Sequence, residues 1–223
     1  MNPSPKLKAF VFDAYGTVFD VHSVADLAEQ FFPGQGKSLS QLWRAKQIEY
    51  MYLRTLMGRY IPHNENTESA LVYACKALGL ECDAARRAKL MQAYLRLTPY
   101  PEAVGALGAL AAHKRAILSV GTKPMLTEMV AHAGMTQHFD KLISVDAVKV
   151  YKPHPATYQL VLDELGVARP EVGFVTSNYF DVAGAKAFGF TVFWINRNNA
   201  LPDELGLLPD HVLTDLAGLK QFA

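Results

Sequence analysis

Short apolar segments constrain the fold of this chain more than any other feature. They lie at residues 9–12, 116–120, 172–175 and 191–195. Each has the length of one strand and carries no charge, which is typical of strands that helices cover on both faces of a parallel sheet. A weaker segment at residues 141–145 predicts another short strand. Helical patterns at residues 125–133 and 155–165 alternate with these segments and predict an α/β fold with a doubly wound parallel sheet core, Rossmann-like in architecture.

Residues 21–98, called the insert below, interrupt this alternation because they hold almost no strand pattern. Their helical patterns lie at residues 23–31, 39–56, 66–78 and 83–94. Pro99 and Pro101 mark the return to the core, since proline disfavours helix at the residue before it. We therefore expect a core domain formed by residues 1–20 and 99–223. The insert is expected to form a helical cap subdomain over the carboxyl ends of the strands.

The balance of basic and acidic residues indicates which kinds of partner to expect. The chain of 223 residues has 22 basic and 21 acidic side chains and a formal charge of +1, so no broad attraction to nucleic acid or anionic lipid is expected. No apolar run approaches the roughly 20 residues that span a bilayer, and residues 1–6 lack the pattern of a signal peptide. Cys75 and Cys82 have no metal-ligand spacing. These observations favour a cytoplasmic protein with a small-molecule ligand, and neither a nucleic acid nor a membrane as partner.

Polar residues follow the predicted strands at or just beyond their carboxyl ends, where ligands bind in open α/β sheets. Singly, each has an ordinary structural explanation: Asp13 as a helix cap, Lys152 as a solvated loop residue, and Asp181 as an acid in the first turn of a helix. As an ordered set on successive strand ends, they indicate a shared site. The set comprises Asp13 and Thr17, then Ser119, then Lys152, and finally Thr176, Ser177, Asn178 and Asp181.

Four motifs built on these residues resemble a known family. They are Asp-Ala-Tyr-Gly-Thr at 13–17, Leu-Ser-x-Gly at 118–121, Tyr-Lys-Pro-x-Pro at 151–155 and Ser-Asn-x-x-Asp-x-x-Gly-Ala at 177–185. In this order and spacing they resemble the haloacid dehalogenase superfamily, and within it the L-2-haloacid dehalogenase (type II) group. The run Leu-Trp-Arg-Ala-Lys-Gln-Ile-Glu-Tyr at 42–50 of the insert is similar to that group, and not to the superfamily at large.

Two positions favour displacement at carbon over phosphoryl transfer. Phosphatases of this superfamily carry a second aspartate two positions after the nucleophile, which protonates the leaving oxygen, whereas this chain has Tyr15. A halide leaves as a stable anion and needs no such proton. The phosphatases also hold Mg²⁺ with an acidic pair, of which Ser177 replaces the first member and only Asp181 is left. We therefore expect neither a metal nor another cofactor.

The resemblance implies the roles of the catalytic residues. Asp13 attacks the carbon that bears the halogen and forms an ester, and water then attacks the carbonyl carbon of that ester. Lys152 balances the charge of Asp13 and stabilises the developing oxyanion. Asp181 orients or deprotonates the water, while Asn178 and Thr176 complete the polar frame.

The same resemblance implies which residues bind the substrate. Ser119 and neighbouring backbone amides bind the substrate carboxylate, and Arg44 of the insert receives the departing halide, a role that suits a guanidinium because it is always charged. Thr17 and Tyr158 hold Asp13 and its surroundings in place. The remaining predicted pocket residues are Tyr15, Val120, Ser177 and Phe180.

Departures from the family pattern fall around the leaving-group pocket. Val120 stands where the family has an asparagine that helps to hold the halide, and Phe180 replaces a tryptophan. Residues 63–66, His-Asn-Glu-Asn, replace an aromatic pair and predict polar groups in an otherwise apolar lid. His63 has two readings, a proton donor at the site or an exposed loop residue, and the second is the more common outcome for a loop histidine. Together the departures predict a weakened or redirected enzyme rather than an inactive one.

The leading interpretation is a metal-independent hydrolase that dehalogenates small 2-haloalkanoic acids. Its partners are then a small carboxylic acid as substrate, a halide as product and, by resemblance, a second copy of the chain in a homodimer. Two alternatives stay open: a related enzyme acting on another small carboxylic acid, and a protein that binds such an acid without turnover. A phosphatase or another ester hydrolase is disfavoured by Tyr15 and Ser177.

Overall fold

The computed structural model describes residues 6–223 as a six-stranded parallel sheet with flanking helices. Residues 1–5, in which the sequence shows no signal-peptide pattern, lie outside the described residues. The strands are β1 (Ala9–Phe12), β2 (Lys114–Ser119), β3 (Lys141–Ser144), β4 (Val172–Thr176), β5 (Thr191–Ile195) and β6 (His211–Leu213). Their order is β3-β2-β1-β4-β5-β6, and all neighbours are parallel. The predicted doubly wound α/β fold is confirmed.

All five predicted strands are present, with small differences at their ends. β2 begins at Lys114 and ends at Ser119, so Val120 lies in the turn after the strand. The sequence indicated a later start because the first two residues of β2 are charged. β6 was not predicted, since it is a short edge strand that only its pairing with β5, in the register Phe193 to His211, distinguishes from a loop.

Eight α-helices are present within the described residues. They are α1 (Ala25–Phe31), α2 (Gly36–Leu56), α3 (His63–Ala77), α4 (Ala84–Tyr94), α5 (Ala103–Ala109), α6 (Lys123–His132), α7 (Pro155–Leu165) and α8 (Tyr179–Phe188). The first four lie in the insert, and the other four alternate with the strands of the sheet. These positions support the expected division into core and cap, which stays a prediction. Within residues 6–223, no helix combines the length and the apolar character needed to cross a membrane.

Two helices of the insert begin earlier than the sequence indicated. α2 starts at Gly36 and α3 at His63, each three residues before the predicted start. A third helix, α5, has the sequence Ala-Val-Gly-Ala-Leu-Gly-Ala and was not predicted, because glycine disfavours helix and masks the apolar periodicity. Its buried residues Ala103, Ala106 and Leu107 show that packing, not propensity, holds it in place.

β1 lies in the interior of the sheet, between β2 and β4, and all four of its residues are buried. Phe12, its last residue, pairs with Ile117 of β2 and Val175 of β4. Since the three strands are parallel and in this register, their carboxyl ends meet at one edge of the sheet. The polar residues brought together there are Asp13, Ser119 and Thr176.

Candidate active site

Lys152 lies at the centre of the polar cluster on this edge. It is buried, and its Nζ donates to Asp13 Oδ1 (3.2 Å), Asp181 Oδ2 (2.8 Å) and the carbonyl oxygen of Leu118 (2.7 Å). Each of the three ammonium protons therefore has an acceptor. Burial alone would lower the pKa of Lys152, but the carboxylates of Asp181 and Asp13 raise it above its ordinary value. The lysine is thus a fixed cation between two carboxylates.

The loop that carries Lys152 is anchored to the insert. Tyr151, the preceding residue, donates its backbone N–H to Thr55 Oγ1 (3.0 Å) and its hydroxyl to the carbonyl oxygen of Ile61 (2.8 Å). These bonds fix the backbone from which the lysine side chain extends. The position of the central cation therefore depends on the insert as well as on the sheet.

Asp13 follows β1 directly and is only 4% exposed. Its Oδ1 accepts from Lys152, while its Oδ2 accepts from Thr17 Oγ1 (3.0 Å) and Asn178 Nδ2 (2.8 Å). Gly16 has a φ of +88°, which glycine adopts at little cost and which turns the chain so that Thr17 bonds back to Asp13. Three donors therefore hold the carboxylate in one orientation.

Asp181 is the second carboxylate and lies fully buried in the first turn of α8. Its Oδ1 accepts from the hydroxyl of Tyr158 (2.7 Å), opposite the bond from Lys152 to Oδ2. Burial raises the pKa of Asp181 to about 6, although Lys152 acts in the opposite direction. Burial also raises the pKa of the Tyr158 phenol, which therefore stays protonated and donates. Asp181 is a stronger base than an ordinary aspartate and is still largely ionised at neutral pH.

Arg44 of α2 reaches this cluster through Asn178. Its Nη2 donates to Asn178 Oδ1 (3.2 Å) and to the carbonyl oxygen of Tyr15 (3.3 Å). The Asn178 Nδ2 donates in turn to Asp13 Oδ2 and to the same Tyr15 carbonyl (3.0 Å). One amide side chain thus connects the guanidinium of the insert to the Asp13 carboxylate.

Ser119 ends β2 and Val120 begins the turn that follows, and both residues are buried. Ser119 Oγ accepts from the backbone N–H of Gly121 (3.2 Å), which leaves the hydroxyl its own proton to donate. A Cβ on Gly121 would lie 2.7 Å from the hydroxyl of Tyr15, so the close approach of that ring requires glycine. The turn offers a hydroxyl and backbone amides to a ligand, while the Val120 side chain has no donor.

Phe180 lies in the wall of an apolar cavity of about 610 Å³. Its ring meets that of Tyr52 edge to face, with centroids 5.6 Å apart. Lys152 also borders this cavity, although its side chain is fully buried. The expectation that Phe180 borders the halide stays a prediction.

Arg197, just after β5, ties the loops of the site together and was missed by the sequence reasoning. Its Nη1 donates to Ser177 Oγ (2.9 Å), and its Nη2 donates to the carbonyl oxygen of Thr17 (3.0 Å) and to Glu102 Oε1 (2.8 Å). Ser177, a predicted pocket residue, thus has its hydroxyl oxygen bound to Arg197. The signal that could have identified Arg197 is its place shortly after the fourth apolar segment, because the other site residues were selected by their places after such segments.

Ser177, through its backbone N–H, and Thr176, through its side chain, also hold the loops of the site in place. The backbone N–H of Ser177 donates to Thr17 Oγ1 (2.8 Å), and Thr176 Oγ1 accepts from the backbone N–H of Asn178 (3.1 Å). Thr176 therefore orients Asn178, whose amide in turn bonds to Asp13. Thr17 is shared between the loops after β1 and β4.

Gln47 is a second residue that the sequence reasoning did not assign. Its Oε1 accepts from Arg44 Nη1 (2.8 Å) and from the hydroxyl of Tyr94 (2.9 Å), while its Nε2 donates to Thr67 Oγ1 (2.7 Å). It lies three residues after Arg44 on the same face of α2, a spacing at which helical side chains meet. Gln47 therefore fixes the orientation of the guanidinium from α2, α3 and α4.

Residues 63–66 do not form the polar lid that the sequence predicted. His63 is fully buried at the start of α3, so the prediction of an exposed loop residue is wrong. Burial lowers the pKa of His63 to about 3, so the imidazole is neutral and has no imidazolium proton to donate. Asn64 and Glu65 are exposed, while the buried Asn66 donates to the carbonyl oxygen of Gln47 (3.0 Å). His63 is buried like Asn66, but neither of its ring nitrogens has a hydrogen-bond partner within residues 6–223.

Metal-binding side chains do not gather in groups of three or more His, Cys, Asp or Glu anywhere in residues 6–223. The two site carboxylates, Asp13 and Asp181, share the Lys152 ammonium instead. A side-chain cation thus occupies the space between them.

Comparisons with known proteins show the family of the chain. The model of a hydrolase family described as haloacid dehalogenase-like hydrolase matches residues 7–189. The chain is 55% identical over 201 residues to an (S)-2-haloacid dehalogenase of Xanthobacter autotrophicus, covering 89% of this chain and 79% of that protein. It is 48% identical over 207 residues to haloacetate dehalogenase H-2 of Moraxella sp. (strain B), covering 92% of each.

A solved structure of a haloacid dehalogenase also has the same fold as this chain. It is the L-2-haloacid dehalogenase from Xanthobacter autotrophicus with chloropropionic acid covalently bound. The two chains superpose with a TM-score of 0.91 and 47% sequence identity, over 96% of this chain and 97% of that one. The similarity therefore includes the insert as well as the sheet.

Proposed function

Because the chain belongs to the haloacid dehalogenase-like hydrolases, we propose that it hydrolyses the carbon–halogen bond of small (S)-2-haloalkanoic acids. The observation that carries this proposal is the pair of buried carboxylates, Asp13 and Asp181, held on either side of Lys152. In this proposal, Asp13 attacks carbon and Asp181 activates water. The chloropropionic acid bound covalently in the Xanthobacter enzyme supports a covalent intermediate.

In the first step, an oxygen of Asp13 attacks C-2 of the substrate from the side opposite the halogen. A carbon–oxygen bond forms as the carbon–halogen bond breaks, and the halide departs with the bonding electron pair. Arg44 supports this step because its guanidinium is fixed next to Asp13 through Asn178. Tyr15, at the position where the phosphatases carry an acid, has a phenol whose pKa burial raises further, and the departing halide needs no proton.

In the second step, water attacks the carbonyl carbon of the Asp13 ester. Asp181 takes the proton of that water, which its raised pKa favours. The oxyanion that forms on the Asp13 carboxyl group is stabilised by the donors already bound there, namely Lys152, Thr17 and Asn178. As the ester bond breaks, the alkoxide oxygen of the product takes one proton of the attacking water, and the other proton is released to solvent. This yields the 2-hydroxy acid and returns the carboxylates of Asp13 and Asp181.

The substrate carboxylate is proposed to bind in the turn after β2. Ser119 supports this role with a hydroxyl that accepts from Gly121 and donates its own proton. The ring of Tyr15 packs on the same turn and closes it from the side of the insert. These contacts would orient C-2 towards Asp13.

No metal is required by this scheme. The charge that a divalent cation would balance is balanced by Lys152, which binds both carboxylates at 3.2 and 2.8 Å. Ser177, at the position of the first acid of the phosphatase pair, accepts from Arg197. We therefore expect EDTA to leave the activity unchanged, with chloride release measured before and after dialysis. Loss of activity that Mg²⁺ restores would contradict this expectation.

The proposal is tested by a single turnover in water labelled with heavy oxygen, with the enzyme in excess over (S)-2-chloropropionate. We expect chloride release, an (R)-2-hydroxy acid formed by a single inversion, and ordinary oxygen in that product. The label should appear in Asp13, as mass spectrometry of its peptide will show. Label in the product of the first turnover would mean that water attacks C-2 directly and would refute the ester.

Asp13→Asn is the matched variant, because asparagine keeps the shape of the side chain and removes the nucleophilic charge. We expect it to release no chloride in a first turnover while retaining the thermal stability of a folded protein. If the wild-type protein binds 2-haloacids but also releases no chloride, binding without turnover is the correct reading. The homodimer formed by the insert helices and the cytoplasmic location stay predictions, and sedimentation analysis tests the first.

A further inference from the structure

His63 is a buried polar residue that the proposed reaction does not use. Its side chain is fully buried, and neither Nδ1 nor Nε2 has a hydrogen-bond partner among residues 6–223. A buried polar group without a partner costs free energy, whereas an apolar residue of similar shape in its place would cost none. The imidazole is therefore expected to bind a polar group that enters the protein.

The place of His63 connects it to the active site. Its ring lies between Tyr15 (centroids 5.4 Å apart) and Tyr151 (5.9 Å). Tyr15 is two residues after Asp13 and packs on the turn proposed to bind the substrate carboxylate, while Tyr151 immediately precedes Lys152. His63 thus contacts the two loops that carry Asp13 and Lys152.

The chemistry of the imidazole limits what it binds. The ring is neutral, because burial and the nearby Arg44 charge both lower its pKa. A neutral imidazole presents one N–H donor and one acceptor nitrogen. An alkyl group satisfies neither, and a carboxylate accepts but does not donate. A hydroxyl group, which does both, is the complementary partner.

We propose that His63 selects 2-haloacids that carry a hydroxyl group on C-3, by hydrogen bonding to that hydroxyl from the insert side of the site. This inference rests on the proposed function and adds the substrate class. Nearby, the rings of Tyr15 and Trp43 both pack on that of Tyr94. These rings fit a short carbon chain, and His63 differs from the polar side chains beside them, Arg44 and Gln47, in having no hydrogen-bond partner among residues 6–223.

Two substrates of nearly equal shape test this inference. In 2-chloro-3-hydroxypropionate a hydroxyl replaces the terminal methyl of 2-chlorobutyrate, so their ratio of kcat/KM reports the hydroxyl alone. We expect the wild-type protein to prefer the hydroxy acid by about ten-fold or more, because a site with buried polar groups rejects the analogue that leaves them unpaired. Equal kcat/KM values for the two acids would overturn the inference, whatever any variant does.

His63→Phe provides the second arm. We expect it to reverse the preference, lowering kcat/KM for the hydroxy acid and raising it for 2-chlorobutyrate, whereas His63→Gln, which keeps a donor and an acceptor, should preserve the preference. His132→Phe, at an exposed position, is the control for the substitution itself and should leave both values unchanged. Thermal unfolding confirms that each variant is folded.

The two proposals fail in different ways. If the wild-type protein releases chloride from neither acid nor from 2-chloropropionate, the proposed function fails and the inference fails with it. If chloride is released but wild-type and His63→Phe proteins show the same preference, only the inference is overturned. Loss of activity towards both acids in equal proportion would likewise mean that His63 supports the fold and does not read C-3.

Discussion

The pH dependence of ester hydrolysis should follow the ionisation of Asp181. Burial raises the pKa of this carboxyl group to about 6, and only its ionised form can take a proton from water. For a single group of that pKa, the ionised fraction falls about ten-fold between pH 7 and pH 5. The negative charge of Asp13 contributes to the raised pKa and is lost in the ester, so the acid limb of kcat should lie at or below about pH 6.

Tyr158→Phe should move the acid limb of the kcat profile while Asp181 itself stays in place as the base. The phenol donates to Asp181 Oδ1 at 2.7 Å, and that bond favours the ionised carboxylate and lowers its pKa. A hydrogen bond to a charged group contributes about 1.5 to 3 kcal/mol, and one pKa unit corresponds to about 1.36 kcal/mol. The acid limb of the variant should therefore move up by about one to two pH units, while the rate at alkaline pH is retained.

The assay is steady-state chloride release from (S)-2-chloropropionate between about pH 4.5 and 9, a range in which the substrate carboxylate is ionised throughout. Tyr73→Phe is the matched control, because this phenol is 42% exposed and its loss should leave the limb in place. In Asp181→Asn the ester on Asp13 should accumulate and be visible by mass spectrometry. An acid limb at the same pH in wild-type and Tyr158→Phe proteins would refute the assignment of Asp181 as the titrating base.

Lys152→Met should lower kcat by about a hundred- to a thousand-fold. It should also lower the free energy of unfolding by about 3 kcal/mol, because two buried carboxylates lose their cation. Chloride release measures the first effect and urea unfolding the second, and a variant as stable as the wild type would contradict the second. Val120→Asn should raise the rate of chloride release by about ten-fold or more, since a donor to a departing anion contributes about 1.5 to 3 kcal/mol; an unchanged rate would remove Val120 from the halide pocket. Arg197→Met should lower Tm by several degrees, since 1 kcal/mol corresponds to about 2 to 4 °C for a chain of this size. Lys220→Met, at an exposed position, should leave Tm unchanged, and calorimetry measures both variants.

Local pattern was sufficient to predict the main elements of the fold. β1, β4 and β5 were predicted within a residue of their ends because each is a short, uncharged segment between polar turns. β6 and α5 were missed for opposite reasons. β6 has no apolar pattern of its own and exists through pairing with β5, while α5 contains residues of weak helix propensity that packing holds in place.

The candidate site was predictable in its members but not in its contacts. The rule that polar residues at strand ends form the site brought together Asp13, Ser119, Lys152 and Asp181, which share one edge of the sheet in the structure. The same rule did not assign Arg197, which lies two residues after the fourth segment, because no motif marked this position. The burial of His63 was beyond any local pattern, since it depends on the packing of α3 against the rings of two distant loops.

The sequence by itself determined the fold class, the order of the site residues along the chain and the resemblance that names their chemistry. These properties depend on residue types at short spacings, which the sequence states directly. Only the tertiary structure decided that Lys152 binds Asp13 and Asp181 together, that Asn178 links Arg44 to Asp13, and which polar groups of the insert face the site. The physical reason is that charge balance, burial and hydrogen bonding join residues that are distant in the chain, from 29 positions for Lys152 and Asp181 to 139 for Lys152 and Asp13, and the pKa of each group depends on those neighbours.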